Sequence, residues 1–149
     1  MPGFLLDTNI FNRVVDLGVD PGALRAKGPI FVTHVQRDEL AATRGSDRAA
    51  ELLAAFDAVE QERVATAAAV WGVSPFGEAE FGHGNGMFQP MMASLAQKNG
   101  GKRNNVQDVL LAVTAYARGL TLVSEDVDLR AVMVEHGGAS ISFDEFMTL

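Results

Sequence analysis

Short apolar runs, each followed at once by a helix-period pattern, recur along this chain. Phe4-Leu5-Leu6 and Ile30-Phe31-Val32 are two of them, and residues 64–70, 120–123 and 139–143 supply the others. Between the runs, apolar residues return at helical spacing. Ile10, Phe11, Val14, Val15 and Leu17 form one such set, Ala49, Leu52, Leu53, Phe56 and Val59 another, and Val106, Val109, Leu110, Val113 and Ala117 a third. Strands that alternate with helices argue for an α/β fold with a parallel sheet covered on both faces.

Local signals set the expected limits of these elements. A helix over 8–17 ends at Gly18 and the Asp20-Pro21-Gly22 turn, and a short amphipathic piece over 23–27 precedes the second strand. Thr33 with Gln36 makes a capping box for a helix running to about Arg44, stopped by Gly45. Ser46-Asp47 can cap the next helix. Ser74-Pro75 looks like a further helix start, residues 81–86 and 99–103 read as loops, and Pro90 limits where the helix over 87–98 can begin. Asn104 with Gln107 resembles a second capping box, and Gly119 is a natural stop. A helix over 127–136 closes at Gly137-Gly138, and a last strand leads to a terminal helical turn through Phe146.

At 149 residues the chain reads as one domain, 1–149, with no repeat or interdomain linker. The absence of cysteine removes disulfides, thiolate metal sites and a thiol nucleophile. No run is long enough to span a bilayer, and no basic stretch precedes an apolar one at the start, so a cytoplasmic location and no membrane partner are expected. The net charge of −7 argues against a broad basic face for polyanions. It leaves room for a nuclease whose acids are neutralised by metal.

The placement of the acids matters more than their number. Asp7 and Asp126 end strands, Asp108 lies in a helix's first turn, and Glu39 is one turn into its helix. Any one of these alone is adequately explained by capping and the helix dipole. If the sheet is parallel, all four point to the crevice beyond the carboxyl ends of its strands, where ligands bind in open α/β sheets. Two carboxylates about 4 Å apart repel by roughly 4 kcal/mol at an effective dielectric near 20. A fold that gathers four must protonate some or bind a cation. With only oxygen donors nearby, Mg²⁺ or Mn²⁺ suits the set better than zinc. Metal-activated water is a known means of phosphodiester hydrolysis.

Leu5-Leu6-Asp7-Thr8-Asn9, Glu39-Leu40, the stretch 108–115 and the stretch 122–129 resemble, in this order, the motifs of PIN domains. The similarity is strongest to the VapC-type toxins of toxin–antitoxin pairs and extends over nearly the whole chain. It implies a three-layer α/β/α fold with a central five-stranded parallel sheet and a Mg²⁺- or Mn²⁺-dependent endoribonuclease site. Asp7, Glu39, Asp108 and Asp126 match the catalytic, metal-binding acids. Thr8 and Asn9 would orient Asp7, Ser124 matches the hydroxyl residue before the fourth acid, and Asp128 could share the role of Asp126. Two positions depart from the pattern, Gln107 for a common asparagine and Leu129 for a common phenylalanine, and neither removes a carboxylate. The implied partners are an RNA substrate, a small antitoxin protein and a second copy in a homodimer.

Some residues carry competing readings. Asp38 neighbours Glu39 but points about 100° away from it on a helix. Lys98, Lys102 and Arg103 precede the Asp108 helix and either touch RNA phosphates or sit in a solvated loop. Arg13, Arg44 and Arg48 read more simply as solvated charges. His34 and His136 read as residues of helix ends, and only His83, among glycines, could reach a substrate. Trp71, Phe76, Phe81, Phe88, Met87, Met91 and Met92 are core by spacing, although in PIN toxins the matching region helps form the antitoxin groove. A haloacid-dehalogenase phosphatase also begins with a strand ending in aspartate, but it needs a second aspartate where this chain has Asn9. A receiver domain lacks its phosphoacceptor and lysine here. A solitary PIN nuclease in RNA processing and a non-catalytic PIN scaffold both remain open.

Overall fold

The protein, a computed structural model, is described over residues 3–59, 62–63 and 85–149. Four three-residue strands form the body of a parallel sheet: β1 (Phe4–Leu6), β2 (Ile30–Val32), β4 (Thr121–Val123) and β5 (Ala139–Ile141). Two residues, Glu62–Arg63, extend it beside β2 as β3, giving the order β3-β2-β1-β4-β5. The chain steps outward from β1 through β2 to β3, then crosses back to β4 on the other side of β1. The strand order therefore reverses between β1 and β4, and a crevice opens at their carboxyl ends.

Eight helices are described: α1 (Thr8–Leu17), α2 (Pro21–Arg25), α3 (His34–Ala41), α4 (Ser46–Val59), α5 (Asn85–Asn99), α6 (Asn105–Arg118), α7 (Val127–Glu135) and α8 (Phe143–Met147). They divide into two layers because successive strand residues point to opposite faces. Leu5 and Leu122 pack with Leu95, Leu110 and Val132 of α5, α6 and α7. Phe4, Leu6 and Val123 pack with Phe11, Leu52, Phe56 and Phe146 of α1, α4 and α8. The arrangement is consistent with a PIN-like α/β fold.

Several local expectations are adjusted. Asp20 caps α2 by accepting the Gly22 N–H at 3.1 Å, with Pro21 at the first helical position, so the expected turn is a helix start. Helix α3 ends at Ala41 rather than Arg44, since Gly45 (φ 90°) turns the chain into α4. Helix α4 starts at Ser46 itself, and Gly45, whose carbonyl accepts the Ala49 N–H, holds the cap position expected for Ser46. The Asn104–Gln107 capping box is absent. Asn104 has φ −88° and ψ 8°, outside the extended region a cap needs, and Gln107 Oε1 is buried without a partner. What sets the start of α6 is a reciprocal amide pair: Asn99 Nδ2 donates to Asn105 Oδ1 at 2.9 Å, and Asn105 Nδ2 donates to Asn99 Oδ1 at 3.0 Å.

Helix α5 begins at Asn85, ahead of the expected start, and carries Pro90 inside it. Met91 is fully buried there, with Met87, Phe88 and Met92 packed against the same layer. The expected strand over 64–70, the helix start at Ser74-Pro75, and Trp71, Phe76, Phe81 and His83 lie outside the described residues. Among the described residues, no helix is long and apolar enough to cross a membrane.

Candidate active site

Asp7 leaves β1 in an extended conformation (φ −65°, ψ 157°) and caps α1. Its Oδ1 accepts the Thr8 N–H at 2.7 Å. Oδ2 accepts the Ser124 hydroxyl at 2.6 Å and the Asn9 amide at 3.2 Å. Ser124 sits immediately after β4, and its oxygen in turn accepts the Asp126 N–H at 3.0 Å. Asn9 Oδ1 accepts the Glu125 N–H at 3.2 Å. The carboxyl ends of β1 and β4 are thus joined through the side chains of Asp7, Asn9 and Ser124. Burial pushes the Asp7 carboxyl up, and the charge of Asp126 adds to this, while donors from Ser124, Thr8 and Asn9 work the other way.

Asp126 caps α7, its Oδ1 accepting the N–H groups of Asp128 at 2.9 Å and Leu129 at 3.2 Å. Two acids therefore stand at helix N-termini, where the backbone dipoles favour negative charge. Glu39 reaches in from α3 with Oε1 buried and without a hydrogen-bond partner. Burial, then the charge of Asp7, pushes its carboxyl up to about 7. The nearby Thr8 hydroxyl opposes that rise, although neither it nor Glu39 Oε1 has a partner within normal hydrogen-bonding geometry. Asp108, only 7% exposed in the first turn of α6, is pushed up to about 8. Burial is the main cause, followed by Asp7, Glu39 and Asp126, and Lys102 partly offsets them.

These four acids line one cleft of about 200 Å³ together with Thr8, Asn9, Asn12 and Asn104. Among the described residues, no three acid or imidazole groups stand close enough, as placed, to close around an ion. Asp128 is not part of the lining; its backbone N–H supports Asp126. Asp38 is exposed. Lys102 and Arg103 are exposed on the α5–α6 connection, whereas Lys98 is drawn to Glu135 of α7 by an ion pair of 2.5 Å. His136 ends α7 and meets the Ser94 hydroxyl at 3.0 Å, and His34 is buried at the start of α3.

No protein-family model and no curated protein matches this sequence. Solved structures do match. The fold is shared with VapBC toxin–antitoxin structures. One is VapBC2 from Rickettsia felis bound to a DNA fragment from their promoter, with a TM-score of 0.56 and 14% identity over 93% of this chain and 97% of that one. Another is VapBC-5 from Mycobacterium tuberculosis, with a TM-score of 0.52 and 20% identity over 95% of this chain and 98% of that one. At these identities, what is shared is the fold.

Within this VapBC-like fold, the sequence pattern passed over two lining residues, Asn12 and Asn104. Asn12 had a signal: Thr8, Asn12 and Asp16 recur at every fourth position and so form a polar stripe along α1. Asn104 resembles a cap in sequence, which masks its place at the cleft. Ser124 yields a direct test of the joined strand ends. Ser124→Ala removes a donor to Asp7 and an acceptor for the Asp126 N–H together, so ligand affinity or activity at the cleft should fall about 10–100-fold. Titration of the purified variant with Mn²⁺ checks this, and an unchanged affinity would mean that the carboxylates hold their places unaided.

Proposed function

We propose that this chain is a metal-dependent endoribonuclease of the PIN type and the toxin of a toxin–antitoxin pair. The observation that carries the nuclease reading is the convergence of Asp7, Glu39, Asp108 and Asp126, from four separate elements, on one cleft at the strand-order reversal. The shared fold with VapBC structures supports the toxin reading.

The donor chemistry fits a hard divalent cation. Every acid offers oxygen, Glu39 Oε1 lacks a partner, and burial, followed by repulsion from the neighbouring acids, raises the carboxyls of Glu39 and Asp108. Asp7, Asp108, Asp126 and Glu39 would hold Mg²⁺ or Mn²⁺. A bound ion supplies a Lewis acid and a more acidic water. Ser124 and Asn9 keep Asp7 directed at the cleft. Glu39 orients the attacking water through Oε1, where it can also accept a proton at neutral pH. Lys102, beside Asp108, meets an RNA phosphate. Bond formation from the water oxygen to phosphorus and cleavage of a phosphorus–ester oxygen bond then divide the strand.

The test is cleavage of mixed-sequence RNA by the purified chain with Mg²⁺ or Mn²⁺, against the same reaction in excess chelator. Metal-dependent internal cuts are expected; equal RNA loss in chelator would overturn the proposal. The toxin reading has its own check. A small adjacent reading frame, with a DNA-binding N-terminal part and an amphipathic C-terminal tail, should encode a protein that forms a complex with this one and silences it. Without such a frame, a solitary nuclease in RNA processing is the better description.

A further inference from the structure

The polar stripe along α1 does more than border the cleft. Thr8 and Asn12 line it, and Asp16, one turn further on, is bound by Arg48 from α4 at 2.9 Å through Nη1. The second arm of the same guanidinium donates from Nη2 to Asn12 Oδ1 at 3.1 Å. A guanidinium has donors and no acceptor, so only the carbonyl end of the Asn12 amide can face it. This settles the orientation of the amide by chemistry. Its NH₂ group is directed away from Arg48, and among the described residues no side chain or carbonyl accepts from it.

This donor stands among acceptors. Four of the eight lining residues are acids and offer acceptors. The Asn9 amide is consumed at both ends, by Asp7 and Ser124 through Nδ2 and by the Glu125 N–H through Oδ1. Asn12, which borders this acid-lined cleft, therefore carries a neutral donor of fixed orientation that no described residue takes up. Such a group suits an anionic acceptor, and it can bind one without competing with a cation for the carboxylates. Hydrogen bonds between neutral donors and ionised acceptors are stronger than neutral pairs.

We infer that Asn12 is a substrate-positioning residue whose Nδ2 donates to a non-bridging phosphate oxygen of the RNA strand, held ready by the Arg48–Asp16 brace. This inference rests on the nuclease reading. A phosphate contact carries no sequence information, so its loss weakens binding alike on every sequence.

The experiment compares wild type, Asn12→Ala, Asn12→Asp, Arg48→Ala and Arg48→Lys in cleavage of RNA oligonucleotides of four base compositions with Mn²⁺. Asn12→Asp is the decisive variant, because it keeps an acceptor for Arg48 while replacing the donor with an acceptor. Its melting temperature should match or exceed that of wild type, while KM rises by more than the roughly tenfold expected for Asn12→Ala, since a charged acceptor is lost. In both variants kcat should stay within about twofold, and the rise should be the same for all four compositions. Arg48→Ala should raise KM less, roughly threefold, by freeing the amide to turn, and Arg48→Lys should recover part of that.

An Asn12→Asp protein with wild-type KM overturns the inference and leaves the nuclease reading standing. So does a KM rise confined to one base composition, which would make Asn12 a base-reading residue instead. If wild type neither binds nor cleaves any of the RNAs, the nuclease reading fails, and this inference fails with it.

Discussion

Asp7→Asn is expected to lower RNA cleavage about 10³-fold while leaving a folded protein. The loss follows from removing the carboxylate nearest the strand-order reversal, since a bound cation supplies several kcal/mol of transition-state stabilisation and each 1.36 kcal/mol is tenfold in rate. Folding is spared because asparagine is as good a helix cap as aspartate. The change has two opposing effects on stability. It removes a buried carboxyl that burial and Asp126 disfavour in its charged form. It also places an NH₂ group near one of two sets of donors, either the Thr8 N–H or the Ser124 hydroxyl and Asn9 amide. Single-turnover cleavage with Mg²⁺, together with circular dichroism, checks both halves. A folded Asp7→Asn protein that still cuts at full rate would remove Asp7 from the chemistry.

Asp108→Asn should separate stability from activity in the opposite direction. The Asp108 carboxyl, ordinarily near 3.8, is pushed up to about 8 mainly by burial. Between those values the folded chain keeps a proton that the unfolded chain has released, so this group's contribution to stability falls as pH rises from about 4 to about 8. Asparagine has no charge to bury at any pH. The variant should therefore be more stable than wild type at pH 8, by roughly 1–3 kcal/mol, or about 3–8 °C in melting temperature, and the gap should close towards pH 4.

A divalent cation should have a related effect on wild type. At a hundredfold excess over its dissociation constant it adds about 2.7 kcal/mol, and Asp108→Asn should lose most of that gain. Melting curves across pH, with and without Mn²⁺, provide the check. A variant less stable than wild type at pH 8 would show that the Asp108 carboxylate is satisfied in place rather than strained by burial.

Glu39 connects these two expectations. Its carboxyl at about 7 leaves it partly protonated at neutral pH when no cation is present, so proton release and cation binding at the cleft are linked. Apparent Mn²⁺ affinity should accordingly rise as pH increases from about 6 to about 8, through the values of Glu39 and Asp108. Calorimetric titration at several pH values would show it, and a flat profile would count against participation of these two carboxyls.

Much of the architecture could be read from local pattern. Strands β1 and β2 fall on their short apolar runs, and the Thr33–Gln36 capping box forms as expected, with Thr33 N–H donating to Gln36 Oε1 at 2.7 Å. Each of these depends on residues a few positions apart, where backbone sterics and capping decide the outcome. Local pattern failed where a neighbouring residue had a better partner in the fold. Asn104 looks like a cap, but the Asn99–Asn105 pair sets that helix start. Lys98 and Lys102 look alike, but α5 packs on α7, where Glu135 takes Lys98, while Lys102 remains beside Asp108.

The order of strands and helices, and the placing of Asp7, Asp108 and Asp126 at helix starts, are written in the chain itself. They arise from periodicity and capping, which act within a few residues. Only the tertiary structure could bring Glu39 and Asn12 to the same cleft, raise the carboxyls of Glu39 and Asp108, and turn the Asn12 amide with Arg48. Those results depend on β4 returning beside β1 and α4 crossing α1, and burial, charge repulsion and hydrogen bonding between residues distant in sequence arise only once such elements have packed.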